Sequence, residues 1–425
     1  MFFNKSPYRG NFRFLTRFNA EQGELTDGEK SFKASLTSFR GDVFHIQISD
    51  ENLWGESRAI IELETPAQEE SKKVELNEKG EIVVRGARNK VLLKGRFGVL
   101  KDTSMWEFEL DENAQYFGMG EKYFGKQELS GYRAKFWNTD VWSDFHFAQW
   151  GGYPSDPPYY SAPYLVVRTG DTFVGLLLHN PSPAFMETPG QDDSRVFVEW
   201  QRTWPNLLLG NEGGEPNLWI IVGPSLPELT QKLQKLVGVT PLPPLWSLGY
   251  HQSRWGYGGH DDLLELDKKF EENQIPCDGL WMDLDYMREF RIFTVDKKAF
   301  PDGPQVTADI LAKNGRRIVP IIDPGVKSEK GYDVYDDGHK QDVFCKTSEG
   351  REFIGLVWPG ETVFPDFSQD RVRNWWAGYA SQFRKSGFGG CWVDMNDPST
   401  GPVDPYEMWF DCGKDHHNKH RNQYG

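Results

Sequence analysis

Three short segments place carboxylates where apolar runs stop: Trp281-Met282-Asp283-Leu284-Asp285, Ile321-Ile322-Asp323 and Trp392-Val393-Asp394. If each run is a parallel strand, the acids emerge together at the carboxyl ends of one sheet, the face on which β/α barrels hold their chemistry. Gathering like charges is costly because each raises the pKa of the others, so a cluster of this kind points to use. A lone Asp after a strand is more often a turn or helix-capping residue; three in register weaken that reading. Two chemistries use such a set. One is a pair of carboxylates flanking a glycosidic bond. The other is divalent-metal binding for phosphoryl transfer, for which Asp283 and Asp285 have a suitable spacing. The second chemistry usually brings a phosphate cradle, and the chain has no G-x-x-x-x-G-K-[ST]. Its Gly118-Met119-Gly120 has Tyr123 where a dinucleotide fingerprint needs a third glycine. His416 and His420 have helical metal-pair spacing but read as solvated or locally bonded, and no nucleophile elbow G-x-S-x-G is present. No metal and no cofactor are expected.

The elements that must position these acids fall into two textures. The first half reads as short strands: Phe44–Ile48 and Trp106–Leu110 alternate with period two, and apolar runs follow at Tyr164–Val167, Phe173–Leu178, Val196–Trp200 and Leu218–Val222. Turn signals such as Asn180-Pro181-Ser182-Pro183 and Gly213-Gly214 separate them, which predicts an antiparallel sandwich. Ser225–Val237 reads as a helix, and Pro241-Leu242-Pro243-Pro244 then interrupts the chain. Beyond it, strands at Leu248–Gln252, Gly279–Asp283, Ile318–Asp323 and Gly390–Asp394 alternate with helices at Asp261–Asn273, Gln305–Asn314 and one capped by Ser368 with Val372, Trp376, Tyr379 and Phe383 inward. That order implies parallel strands with right-handed crossovers. Residues 327–367 read as an insertion over the active face. The predicted organisation is a sandwich over 1–224, a linker over 225–244 and an α/β unit over 245–425.

Composition narrows the partners. A formal charge of −15 argues against nucleic acid and against an anionic membrane surface. Sixteen Trp, 16 Tyr and 29 Phe supply flat faces suited to sugar rings, or to a Trp-rich core. Phe136–Tyr160 concentrates nine aromatics in 25 residues between Gly, Pro and Asp, as a cleft-lining or packed loop would. Four scattered cysteines suggest neither a disulfide scaffold nor a zinc ribbon. With no h-region near Met1 and no long apolar run, a cytoplasmic setting is expected.

Two motifs, Trp392-Val393-Asp394-Met395-Asn396-Asp397-Pro398-Ser399 and Asp278-Gly279-Leu280-Trp281-Met282-Asp283-Leu284-Asp285-Tyr286-Met287, carry a family resemblance. Support comes from Gly249–Tyr257, Ile322–Val326, Val357–Gly360 and Phe117–Lys122. Over residues 90–425 the chain resembles the N-terminal galactose-mutarotase-like sandwich and the first half of the catalytic barrel of glycoside hydrolase family 31, the α-glucosidase group. The resemblance implies an all-β sandwich followed by an incomplete (β/α)8 TIM-type barrel with about four of the eight strands. It implies a retaining α-glycosidase acting on an α-glucoside or oligosaccharide, with Asp394 as nucleophile. Asp283 would hold sugar hydroxyls, Leu284 and Trp358 would wall the pocket, Trp392 and Met395 would flank the nucleophile, and Asp140 would reach in from a sandwich loop. Asp285-Tyr286-Met287 followed by Phe290–Thr294 resembles the α-glucosidase subgroup.

Two departures stand out. Asp397 occupies a position that is usually Glu. The family's acid/base aspartate lies further downstream than the 31 residues that follow Asp394, and His420–Gly425 resembles a mid-barrel helix start. The expectation is therefore that no acid/base is encoded here and that the 425-residue chain is inactive alone and prone to self-association through open barrel edges. The alternative is a non-catalytic carbohydrate-binding remnant.

Overall fold

A computed structural model describes residues 12–39, 41–49, 59–60, 73–122, 126–140, 159–191, 203–214 and 217–425. The expected strand Val196–Trp200 and most of the aromatic segment Phe136–Tyr160 lie outside the described residues. The chain divides into two units, Met1–Val239 with Arg421–Gln423, and Thr240–His420 with Tyr424–Gly425.

The first unit is two antiparallel sheets. One runs in the order Arg133–Phe136, Ala184–Glu187, Leu207–Asn211, Thr103–Leu110, Val91–Leu100, Glu81–Arg85 and Val74–Leu76, with Arg13–Phe14 paired to Val91–Leu100. The other runs Gln115–Gly118, Tyr164–Thr169, Thr172–Leu178, Leu218–Gly223, Val43–Ser49, Ser31–Phe39, Glu24–Thr26 and Arg17–Asn19. Alternation explains the core. Phe97, Trp106 and Phe108 of the first sheet and Ile46, Ile48, Leu176 and Ile220 of the second are all fully buried in one cluster, each contributing roughly 1.5–3 kcal/mol. Gly95 lets the Phe108 ring lie against the strand, since a Cβ there would stand 2.3 Å from that ring. On the outer face of the second sheet, Val166, Leu177, Trp219 and Ile221 are covered by the helix Leu226–Val237 through Leu229 and Leu236. Ser225 caps that helix by accepting from the Glu228 N–H, and Pro227 in its first turn loses no hydrogen bond.

The second unit is built on a parallel sheet of β1 (His251–Arg254), β2 (Gly279–Met282), β3 (Arg317–Ile322) and β4 (Trp392–Val393), in that spatial order. Helices α1 (His260–Glu272), α2 (Pro304–Leu311) and α3 (Asp370–Arg384) follow β1, β2 and β3. Leu263 from α1, Leu311 from α2, and Val372, Trp375 and Phe383 from α3 share a core with Leu280, Met282 and Ile318, which project from one face of the sheet. Gly315 ends the second crossover in the left-handed region at φ 81°, a conformation glycine adopts at no steric cost. Between β3 and α3 the chain makes a helix, Asp333–Lys340, and a small antiparallel sheet of Val326–Lys327, Gly360–Val363 and Gly355–Val357.

Several elements differ from the sequence reading. Leu245–Leu248 is a 3-10 turn and the first strand begins only at His251; Gly249 between them passes so close to Asp278 that a Cβ there would stand 1.7 Å from its Oδ2. Ser368 does not cap α3; its hydroxyl and N–H are held by Asp366 Oδ1, and Gln369 occupies the cap position. Helix α3 buries Trp375 more deeply than Trp376, which sequence spacing alone placed inward. His416 accepts from the Asn418 N–H at 3.1 Å and His420 lies 3.1 Å from Asp415, so both are locally bonded.

Candidate active site

Strand register decides which acids meet. Met282 pairs with Pro320, and Ile322 pairs with Val393. Continuing each strand by one residue puts Asp323 level with Asp394, and Asp283 level with Ile321. Side chains alternate faces along a strand, and level residues on parallel neighbours share a face. Trp281, Asp283, Ile321, Asp323, Trp392 and Asp394 therefore all lie on the face opposite the helix-covered one. Asp323 and Asp394 form its upper layer; Asp283 stands one layer lower, level with Trp392, and Trp281, its ring centroid 5.9 Å from that of Trp392, lies below Asp283. The Trp281 indole N–H donates to His251 Nδ1 at 2.8 Å, so that nitrogen carries no proton and Nε2–H donates to the Trp246 carbonyl at 3.2 Å. This aromatic ladder fixes the floor on which the acids stand.

The three acids differ in environment. Asp394 is exposed, and its N–H reaches the Ile322 carbonyl at 3.4 Å. Met395, next to it, has φ 61°, a conformation that a non-glycine residue keeps only when its surroundings enforce it. Asp283 is half-buried and accepts from the Leu284 N–H at 2.8 Å, capping the turn Leu284–Tyr286. Burial, then the charges of Asp285 and Asp394, raise its pKa, against the opposing pull of that N–H. Asp323 is only 4% exposed. Desolvation first, then Asp394 and Asp283, push its carboxyl up to about 7. Tyr286, fully buried, donates its hydroxyl to the Ile321 carbonyl at 2.6 Å and so anchors the end of β3 beside these acids.

The other anticipated residues are distributed unevenly. Leu284 is buried beside Asp283. Trp358 sits in the two-residue loop between Gly355–Val357 and Gly360–Val363, is 47% exposed, and meets exposed Trp255 edge-on at 5.5 Å. Trp255, within the Gly249–Tyr257 motif, follows the end of β1 and is exposed. Asp397 is buried and accepts from Ser399 Oγ at 2.9 Å. Asp140 belongs to the sandwich unit. The segment leading to it is tied down there: the Asn138 N–H donates to Asn422 Oδ1 at 2.8 Å, and Asn422 Nδ2 donates to the Phe136 and Ser182 carbonyls. A surface cleft of about 290 Å³ near Arg254, Tyr257, Asp262 and Lys269 is lined by none of the three aspartates. Among the described residues, no group of three His, Cys, Asp or Glu side chains is placed to hold a metal ion.

Comparison with known proteins matches this architecture. The family description "Glycosyl hydrolases family 31 TIM-barrel domain" fits residues 240–425, and "Glycosyl hydrolase 31 N-terminal galactose mutarotase-like domain" fits residues 61–187. The chain belongs to glycoside hydrolase family 31. Among its family 31 relatives, Alpha-glucosidase 2 of Bacillus thermoamyloliquefaciens is 36% identical over 291 residues, covering 68% of this chain and 34% of that protein. Neutral alpha-glucosidase AB of Homo sapiens is 36% identical over 222 residues, covering 51% of this chain and 23% of that protein. A Flavobacterium johnsoniae dextranase shares the fold with a TM-score of 0.81 at 21% identity, over 97% of this chain and 52% of that one. The glucosidase II alpha subunit does so with a TM-score of 0.75 at 21% identity, over 99% of this chain and 56% of that one. The chain thus spans about a third of the first of these relatives and about half of these two solved structures. Among the described residues no helix is long and apolar enough to cross a membrane.

Proposed function

We propose that this chain carries the nucleophile side of a retaining α-glycosidase and that the protein acts on a terminal α-linked glucose residue. The observation that carries the reading is the unequal trio at the strand ends: an exposed Asp394 level with a buried Asp323, and a half-buried Asp283 on the same face. A retaining mechanism needs an ionised, accessible carboxylate to attack C1. Asp394 is the accessible one of the three. As the bond from C1 to the leaving oxygen breaks, an ester forms between C1 and an Asp394 oxygen; a general acid protonates the leaving alcohol, and water later releases the sugar. No residue of the 425 is assigned as that acid.

The remaining residues fit binding. Positive charge develops on the ring in the transition state, and fixed negative charge beneath it is stabilising. Asp283 supplies such charge and, with one oxygen tied to Leu284, presents the other to sugar hydroxyls. Trp358 offers a flat apolar face, with Trp392 below and Leu284 and Met395 beside the acids. Asp140 is proposed as a further hydroxyl contact. The family membership and the names of the α-glucosidase relatives favour glucose.

The test is mechanism-based inactivation of the protein that carries this chain by a cyclitol epoxide of α-gluco configuration, with peptide mass spectrometry. A covalent adduct on Asp394, lost in Asp394→Asn, is the expected result. Labelling on a different carboxylate, or inactivation without any adduct, would overturn the assignment.

A further inference from the structure

The mechanism uses Asp394 and Asp283 and leaves Asp323 without a task. Yet Asp323 is the most deeply buried of the three, at 4% exposed, and occupies the middle strand between the other two. Its Oδ1 is buried with no hydrogen-bond partner among the described residues. A bare carboxylate in that position would face two further negative charges across neighbouring strands about 4.8 Å apart. An ionised, unpaired buried carboxylate is among the most costly groups a fold can hold. The groups acting on it are Asp394 from the end of β4 and Asp283 from the end of β2, and among the described residues no cation is one of them. Tyr286, beside it in the turn after β2, has its hydroxyl committed to the Ile321 carbonyl.

We propose that Asp323 is a positioning residue that holds a proton between Asp283 and Asp394, so that both neighbours stay ionised on one crowded face. This deepens the reading of Asp394 as nucleophile and rests on it for its purpose. Three anions at this spacing are unfavourable, two are tolerable, and the group with least access to water is the one that stays neutral. Asp394, exposed, and Asp283, holding an N–H, keep their negative charges for attack and for binding. The direction of the Asp323 shift, up to about 7, agrees with the geometry. Ionisation of Asp323 at higher pH then adds a third anion next to the nucleophile.

Protonation can be read without turnover, so this proposal and the glycosidase reading fail separately. Infrared pH-difference spectra of the protein with carboxyl-labelled aspartate are expected to show a protonated-acid carbonyl band that persists at pH 6 and disappears with a midpoint near 7. The band should be absent from Asp323→Asn. In Asp394→Asn, which removes one facing charge, the midpoint should fall by about one pH unit, a tenfold change in acidity. A purely structural Asp323 would not respond to Asp394 in this way. The proposal is overturned if no protonated aspartate persists above pH 5, or if the band ignores Asp394→Asn; the latter variant alters an exposed side chain and carries the test even where Asp323→Asn does not fold.

Discussion

Replacing Asp323 by Asn tests the energetics of the carboxylate face through stability. Its carboxyl is raised from 3.8 to about 7 in the folded chain, by burial first and by Asp394 and Asp283 after that. The folded state therefore binds this proton more tightly than the unfolded state does. The stability associated with it is complete below pH 3.8 and is lost as pH rises through 7. Linkage gives a loss of about 1.7 kcal/mol by pH 5 and about 4 kcal/mol by pH 8. Asn cannot ionise, so its variant escapes this loss. Burying an amide has its own cost of roughly 1–3 kcal/mol, but that cost does not vary with pH. The gain of Asp323→Asn over the native chain should accordingly grow by about 2.5 kcal/mol between pH 5 and pH 8. Urea unfolding followed by hydrogen exchange of peptides from β2 and β3 measures it, with sandwich peptides as the internal control. A gain that is the same at both pH values, or one confined to acid, would refute the assignment of a neutral acid at this position.

Two further outcomes concern the frame. His45 is buried, lies flat against Trp219 at 4.1 Å, has no hydrogen-bond partner for Nε2 among the described residues, and is held down at about 3 by burial and by His179. Its folded pKa is depressed, so the sandwich should lose stability as pH falls from 6.5 towards 3, and His45→Phe should recover about 2–3 kcal/mol at pH 4.5 in acid melts of that unit. Arg316, with a side chain 2% exposed, bonds Asp267 at 2.5 Å and Glu271 at 2.9 Å. Arg316→Met removes the cation from Asp267, which is part-buried and keeps its bonds from Asn314 Nδ2, and should cost about 2–3 kcal/mol, below the roughly 3–5 kcal/mol of a fully buried pair; adding Asp267→Leu should return most of it in urea midpoints.

Local chemistry made much of this legible in sequence. Period-two runs such as Phe44–Ile48 became strands because one face had a core to meet, and Asp261–Asn273 became α1 because Leu263, Leu266 and Phe270 recur at helical spacing. The motifs around Asp394 and Asp283 contain the strands that end beside these two acids. Where the structure differs, a local hydrogen bond outcompeted a propensity: Asp366 captured Ser368, and the 3-10 turn Leu245–Leu248 took the expected start of β1.

Sequence by itself determined that three acids follow three apolar runs and that the runs alternate with helices, since composition and periodicity are properties of the chain alone. Tertiary structure decided that Asp323 stands level with Asp394 while Asp283 sits lower, and that one is buried and another exposed. The reason is physical: a carboxylate's charge depends on water and on charges across neighbouring strands, and both are set by register and burial, which exist only once the strands have paired.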